Sequence, residues 1–334
     1  MRTSVERLEA ESRATGFRVE MLEKVARLMG VLEGVRAHPF LRDRLALKGG
    51  TALNLFIFDV PRLSIDIDLN YLGTGDREQM MDERPKVERA LEAVFSRENL
   101  QVRAMPVEHA GGKWWLRYES SRGRGGALEV DVNFMYRLPL WQPRRLDSRL
   151  VGRWRVKDVL VMDIHELVAG KLCALLARQR ARDLFDSHQL LSLDGLDPAR
   201  LRIAFVVYGA MSRRDWRQVS IEDVGMDPAE LANQLLPVLR HGALTGTAET
   251  AKYGPMLVEG CQRLLSVVLP LTDKERAFLD LLLDRGQVDA SLLTSDESLR
   301  ERVRGQLLLR WKSLNVRRRA GSGARMAAPV RRRP

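Results

Sequence analysis

Ile65-Asp66-Ile67-Asp68-Leu69-Asn70 alternate apolar and polar without interruption. A period of two fits a strand with one face in a core, and it puts Asp66, Asp68 and Asn70 together on the other face. Carboxylates that share a strand face repel one another unless a cation lies between them. A hard, oxygen-seeking ion such as Mg²⁺ is suited to that position. Residues 127–134 repeat the pattern, with Val130, Val132 and Phe134 on one face and Glu129, Asp131 and Asn133 on the other. If the two strands are neighbours in a sheet, Asp131 completes a three-carboxylate cluster with Asp66 and Asp68. Upstream, a short apolar run ends at Lys48-Gly49-Gly50. The apolar residues 51–58 then suffice for two helical turns before Asp59-Val60-Pro61 breaks them.

Bulk properties narrow the function classes. With 45% hydrophobic and 30% charged residues, the 334-residue chain is an ordinary globular mix long enough for two or three compact units. No apolar run approaches the roughly 18 residues of a membrane span. The opening MRTSVERLEAESR has no apolar export segment. Cys173 and Cys261 make neither a disulfide framework nor a thiolate metal site. His38, His109, His165, His188 and His241 lack zinc-ligand spacing, and neither G-x-x-x-x-G-K-S/T nor G-x-G-x-x-G occurs. These features together lead us to expect a cytoplasmic protein. The net charge of +11 invites a polyanion partner, but seven arginines in residues 317–334 supply much of it and leave +4 on the body.

Residues 16–37 carry a helical stripe, and a helix with Asp76 as N-cap is expected to run to about Asn99, broken or restarted at Pro85. Strands are expected at 101–107 and 113–119, with a further β-like segment at 153–161. The loop 120–126, with Arg122 and Arg124, reads either as a hairpin connection or as a basic loop against an RNA backbone. From Asp163, a possible N-cap, the pattern is helical. On residues 164–182 the cations Lys171, Arg178 and Arg182 fall beside the inward apolar stripe, where a buried cation must reach water or meet an anion. Arg180-Ala181-Arg182-Asp183-Leu184-Phe185-Asp186 then sets two arginines and two aspartates beside that helix. Apolar stripes recur at 200–212, 228–240 and 257–269. Thr272 and Glu275 form a capping box for a helix at 273–284. Trp311 reads as a core residue or, with Lys312, as a nucleic-acid contact. The expected units are a helical lead-in (1–40), a core (41–162), a helical C-terminal domain (163–316) and a basic, disordered tail (317–334).

KGGTALNL…RLSIDIDL, with a third aspartate on a later strand, resembles the DNA polymerase-β-like nucleotidyltransferase superfamily. It is most similar to the AbiEii/AbiGii branch, the toxins of abortive-infection and toxin–antitoxin pairs. Lys171 with the R-x-R-D-L-x-D phrase, and the closing helices, extend the resemblance over nearly the whole chain. It implies an α+β fold: a small mixed β-sheet core flanked by helices, with a helical C-terminal domain. Two Mg²⁺ ions would be held by Asp66, Asp68 and Asp131, with Asp131 also accepting the nucleophile's proton. Gly49, Gly50 and Ser64 would cradle the phosphates of an NTP. Lys171, Arg182, Asp183 and Asp186 would supply triphosphate contacts and support. Lys48 and Thr51 lie close by. The implied acceptor is RNA, foremost the tRNA 3′ end, and the implied partner is a winged-helix antitoxin, with no membrane involved. Transfer to a protein hydroxyl, or NTP sensing without catalysis, are the alternatives.

Overall fold

The computed structural model describes residues 4–104, 107–108, 111–123, 125–241 and 247–326. Two helices lead in. α1 (Val5–Thr15), capped by Ser4, buries only Leu8, which is why its charged sequence gave little helical signal. α2 (Val19–Ala37) follows the expected stripe and buries Leu22, Val25, Leu28, Val31 and Leu32. β1 (Leu45–Lys48) runs into α3 (Gly49–Ala52), which widens into a π-helical turn at Leu53–Ile57. β2 (Asp66–Tyr71) is the alternating stretch. α4 (Arg77–Arg97) begins at Asp76, whose carboxylate accepts the Gln79 N–H at 2.9 Å. Pro85 sits inside α4 without breaking it; buried Met80 and Val87 flank it and hold the helix to the core.

β3 (Gln101–Ala104), β4 (Val107–Glu108), β5 (Gly111–Glu119) and β6 (Gly125–Asn133) follow. β7 (Arg144–Leu146) and β8 (Val159–Val161) complete the sheet; the β-like segment at 153–161 contracts to β8. The strand order is β3-β5-β6-β2-β1-β8-β7, with β4 paired to β5. The β2–β6 and β1–β8 pairs are parallel and the rest antiparallel, giving the mixed sheet expected. Its inner face packs under α2 and α4 through Ile67, Leu69, Trp114, Leu116, Val130 and Val132, all buried. Phe95 of α4 meets Trp114 edge-on at 6.1 Å.

The helical half comprises α5 (Ile164–Arg178), α6 (Ala181–Leu191), α7 (Pro198–Met211), α8 (Pro228–Glu230), α9 (Thr247–Leu264), α10 (Asp273–Arg285), α11 (Glu297–Gly305) and α12 (Leu307–Met326). Asp163 caps α5 and the Thr272/Glu275 box caps α10, with both of its arms formed. Residues 228–240 are not one helix. After α8 come a π turn (Leu231–Leu235) and a 3-10 turn (Leu236–Val238), since Pro237 cannot extend a regular ladder. This segment returns to the core, where the Leu63 N–H donates to the Val238 carbonyl at 2.9 Å.

Two expectations for the C-terminus change. α12 continues ten residues past the boundary set at 316, and Arg317 Nε donates to the Gly286 carbonyl at 2.9 Å; residues 327–334 lie outside those described. Trp311 is 61% exposed rather than in the core, because α12 turns Leu309 and Ser313 inward instead. Among the described residues no helix is long and apolar enough to cross a membrane.

Candidate active site

Strand register brings the acidic residues together. Asp66 pairs with Glu129, Asp68 with Asp131, and Asn70 with Asn133 across the parallel β2–β6 junction. On the other side of β2, Lys48 is in register with Asp68. Residues opposite one another share a sheet face, so Lys48, Asp68 and Asp131 form one row and Asp66 and Glu129 the next, all on the face away from α2 and α4. The aspartates gather as rows rather than as a cage. Among the described residues, no three acidic, imidazole or thiol side chains stand close enough to hold a metal ion. The three-carboxylate cluster expected of Asp66, Asp68 and Asp131 is therefore not closed in this structure, because in-register residues on neighbouring strands are spread along the sheet face.

The chain enters this face through Gly49 at φ +70°, where a Cβ would lie 2.2 Å from Asp68 Oδ2. Only glycine lets the backbone pass so close to the carboxylate. At Gly50 a Cβ would stand 3.0 Å from both Arg62 Nη2 and Ser64 Oγ. Thr51 is fully buried and donates its hydroxyl to the Asp66 carbonyl at 2.5 Å, a structural tie between α3 and β2.

A cavity of about 720 Å³ opens between this face and α5–α7. Gly49, Gly50, Ser64, Asp66 and Asp68 line one wall, while Lys171, Arg178, Arg182 and Asp183 line the other. β6 reaches the cavity through Glu129, and Asp131, two residues on, is not among its lining residues. Arg182 Nη1 lies 3.7 Å from Asp66 Oδ2, so this cation reaches across to the carboxylates. Lys171 Nζ is pinned between Asp183 Oδ1 at 2.9 Å and Asp186 Oδ2 at 3.0 Å. Asp186 is wholly buried and receives the Arg62 guanidinium through two bonds, of 2.8 and 2.6 Å. Asn54 Nδ2 donates to Asp186 at 3.1 Å and to the Gly50 carbonyl at 3.0 Å. The R-x-R-D-L-x-D phrase therefore divides. Arg182 faces the cavity, Asp183 holds Lys171 at its rim, and Asp186 clamps α3 and Arg62 from beneath. Arg62 and Asn54 were passed over in the sequence, although a cation and an amide embedded in apolar text are a signal of buried pairing.

Electrostatics follow from burial. Burial raises the Asp66 pKa, opposed by Arg182 and reinforced by Asp68. Asp131 is raised chiefly by burial as well, Lys48 and Lys113 pulling it down and Asp68 pushing it up. Burial pulls Lys171 down, but Asp186 and Asp183 outweigh it and the ammonium ends above its ordinary value. Glu166, on the cavity wall, is raised to about 7 by burial; it accepts the Tyr208 hydroxyl at 2.9 Å and the Trp141 N–H at 3.2 Å. Of the loop 120–126, Arg122 is engaged by Glu20 at 2.7 Å and the Ser121 N–H by Glu23 at 2.7 Å, which ties the loop to α2; Arg124 lies outside the described residues.

A model of the family described as nucleotidyl transferase AbiEii toxin, type IV toxin–antitoxin system, matches residues 30–249. No curated protein sequence matches. Among solved structures, MenT4, a nucleotidyltransferase toxin from Mycobacterium tuberculosis H37Rv, is similar with a TM-score of 0.54 and 16% identity, covering 91% of this chain and 98% of that one. At that identity the similarity bears on the fold.

Proposed function

The chain belongs to the AbiEii family of nucleotidyltransferase toxins, and from that premise we propose that it moves an NMP from an NTP to RNA, with the tRNA 3′ end as acceptor. The observation that carries this reading is the facing of two walls: Asp66 and Asp68, with Asp131 in register beside them, opposite Lys171, Arg178 and Arg182. Asp66 and Asp68 would repel a triphosphate placed between the two walls unless divalent cations were bound on their side. Asp66, Asp68 and Asp131 have the hard oxygen donors for two Mg²⁺ ions, which when bound neutralise phosphate charge and acidify the attacking hydroxyl.

The chain's own groups do the rest. Backbone N–H groups at Gly49–Gly50 and the Ser64 hydroxyl bind the β- and γ-phosphates. Arg182 and Lys171 balance the charge of the departing pyrophosphate, while Asp183 and Asp186 hold Lys171 in place. Asp131 takes the proton from the acceptor hydroxyl. The acceptor hydroxyl oxygen bonds to the α-phosphorus as the bond from that phosphorus to the α,β-bridging oxygen breaks and pyrophosphate leaves. An RNA blocked at its 3′ end cannot be charged, so translation stops. A winged-helix antitoxin would counter it.

The test is purified protein with Mg²⁺, each labelled NTP and total tRNA. Label on RNA that is abolished by Asp68→Ala is expected. RNase-resistant label on protein bands, or none with any NTP, would reject RNA as acceptor.

A further inference from the structure

Trp115, on β5, is 46% exposed although it sits mid-strand beside Trp114, which is fully buried. Register places it with the acidic rows. Trp115 pairs with Glu129 and Lys113 with Asp131, so Asp66–Glu129–Trp115 and Lys48–Asp68–Asp131–Lys113 run side by side across one sheet face. Two strand spacings, about 10 Å, separate Trp115 from Asp66. Glu129 organises this edge: it accepts the Trp115 indole N–H at 3.0 Å and pairs with Lys113 at 2.5 Å. The Lys113 ammonium lies 5.8 Å from the indole centroid. Arg117, exposed and two residues further along β5, extends the same face.

Direction follows from the strand order. In-line transfer puts the attacking hydroxyl opposite the leaving pyrophosphate. Gly49–Gly50 and the cationic wall take the pyrophosphate at the β1 side, so the acceptor comes from the β6–β5 side, past Asp131. There it meets an exposed aromatic ring beside Arg117 and the Glu129-paired Lys113, an aromatic-and-cation surface of the kind that holds single-stranded nucleic acid by base stacking and phosphate pairing. A protein partner would more often be met by a larger apolar patch.

We propose that Trp115, with Lys113 and Arg117, is the stacking platform that delivers the single-stranded 3′ end of the RNA acceptor to Asp131. The proposal rests on the RNA reading above, and it makes Trp115 a positioning residue. In the transfer assay, Trp115→Ala is expected to raise KM for RNA about tenfold or more, with kcat within about twofold and KM for the NTP unchanged. Trp115→Phe should restore most of the affinity. Lys113→Ala with Arg117→Ala should flatten the salt dependence of RNA KM. Binding is read separately, without NTP, as the share of fluorescence quenching by a short single-stranded RNA that wild type shows and Trp115→Phe loses. If wild type transfers no label but this quenching is present, the catalytic reading fails while the platform stands. An unchanged RNA KM in Trp115→Ala, or quenching identical in wild type and Trp115→Phe, overturns the platform. So does loss of antitoxin binding by Trp115→Ala with RNA handling intact, which would make the face a protein interface.

Discussion

Single carboxylates hold this site in tension. Asp66 and Asp131 keep their protons to higher pH in the folded protein than in the unfolded chain. Stability linked to them is therefore complete below the ordinary aspartate pKa and declines as pH rises through the raised one. Asp131→Asn should abolish transfer yet raise Tm by a few degrees at neutral pH, as thermal melts in metal-free buffer can check; a lowered Tm would contradict it. Glu166 makes the same argument with a wider window. Its pKa of about 7 against an ordinary 4.5 implies that wild type loses on the order of 3 kcal/mol between those pH values. Glu166→Gln keeps the shape and should flatten that slope in denaturant titrations taken from pH 4.5 to 8. Alternation and helical angle single out Asp66, Asp68, Asp131 and Lys171 in the sequence. Arg62 and Glu166 stay unmarked, since nothing in a single chain states what a residue is buried against.

At the scale of elements, the decisive joint lies between α3, the Arg62 loop and α6. Asp186 meets Arg62, Lys171 and Asn54 there with almost no solvent. A buried pair of this sort adds little relative to apolar packing, but removing one partner strands the other charges. Asp186→Ala is accordingly expected to lower the unfolding free energy by about 3–5 kcal/mol, measurable by urea titration. Activity should fall with it, because Lys171 loses one of its two anchors. An effect below about 1 kcal/mol would show that water reaches the pair. The elements themselves were mostly legible, β2 and β6 by their period and α5 and α10 by their caps. The 228–240 segment was not, because Pro237 and the bond between Leu63 and Val238 override its apolar stripe.

For the molecule as a whole, charge and chain end are separable. α12 reaches Met326 and Arg317 bonds back to Gly286. Truncation after 316 should thus cost on the order of 1–2 kcal/mol. Truncation after 326, removing Arg331, Arg332 and Arg333, should weaken RNA binding at low salt and reduce its salt slope. Equal stability of the two forms would put Arg317 outside the fold. The sequence alone determined most strands and helices of the core, the acidic strand faces and the glycine entry, since each is a local rule of period, turn or charge repulsion. Only the tertiary structure decided that Asp68 and Asp131 share a row, that Arg182 faces the cavity while Asp186 lies beneath it, and that Trp115 is left open on the acidic sheet face. Register between distant strands and the choice of buried ion partner come from packing the whole chain, which no local pattern encodes.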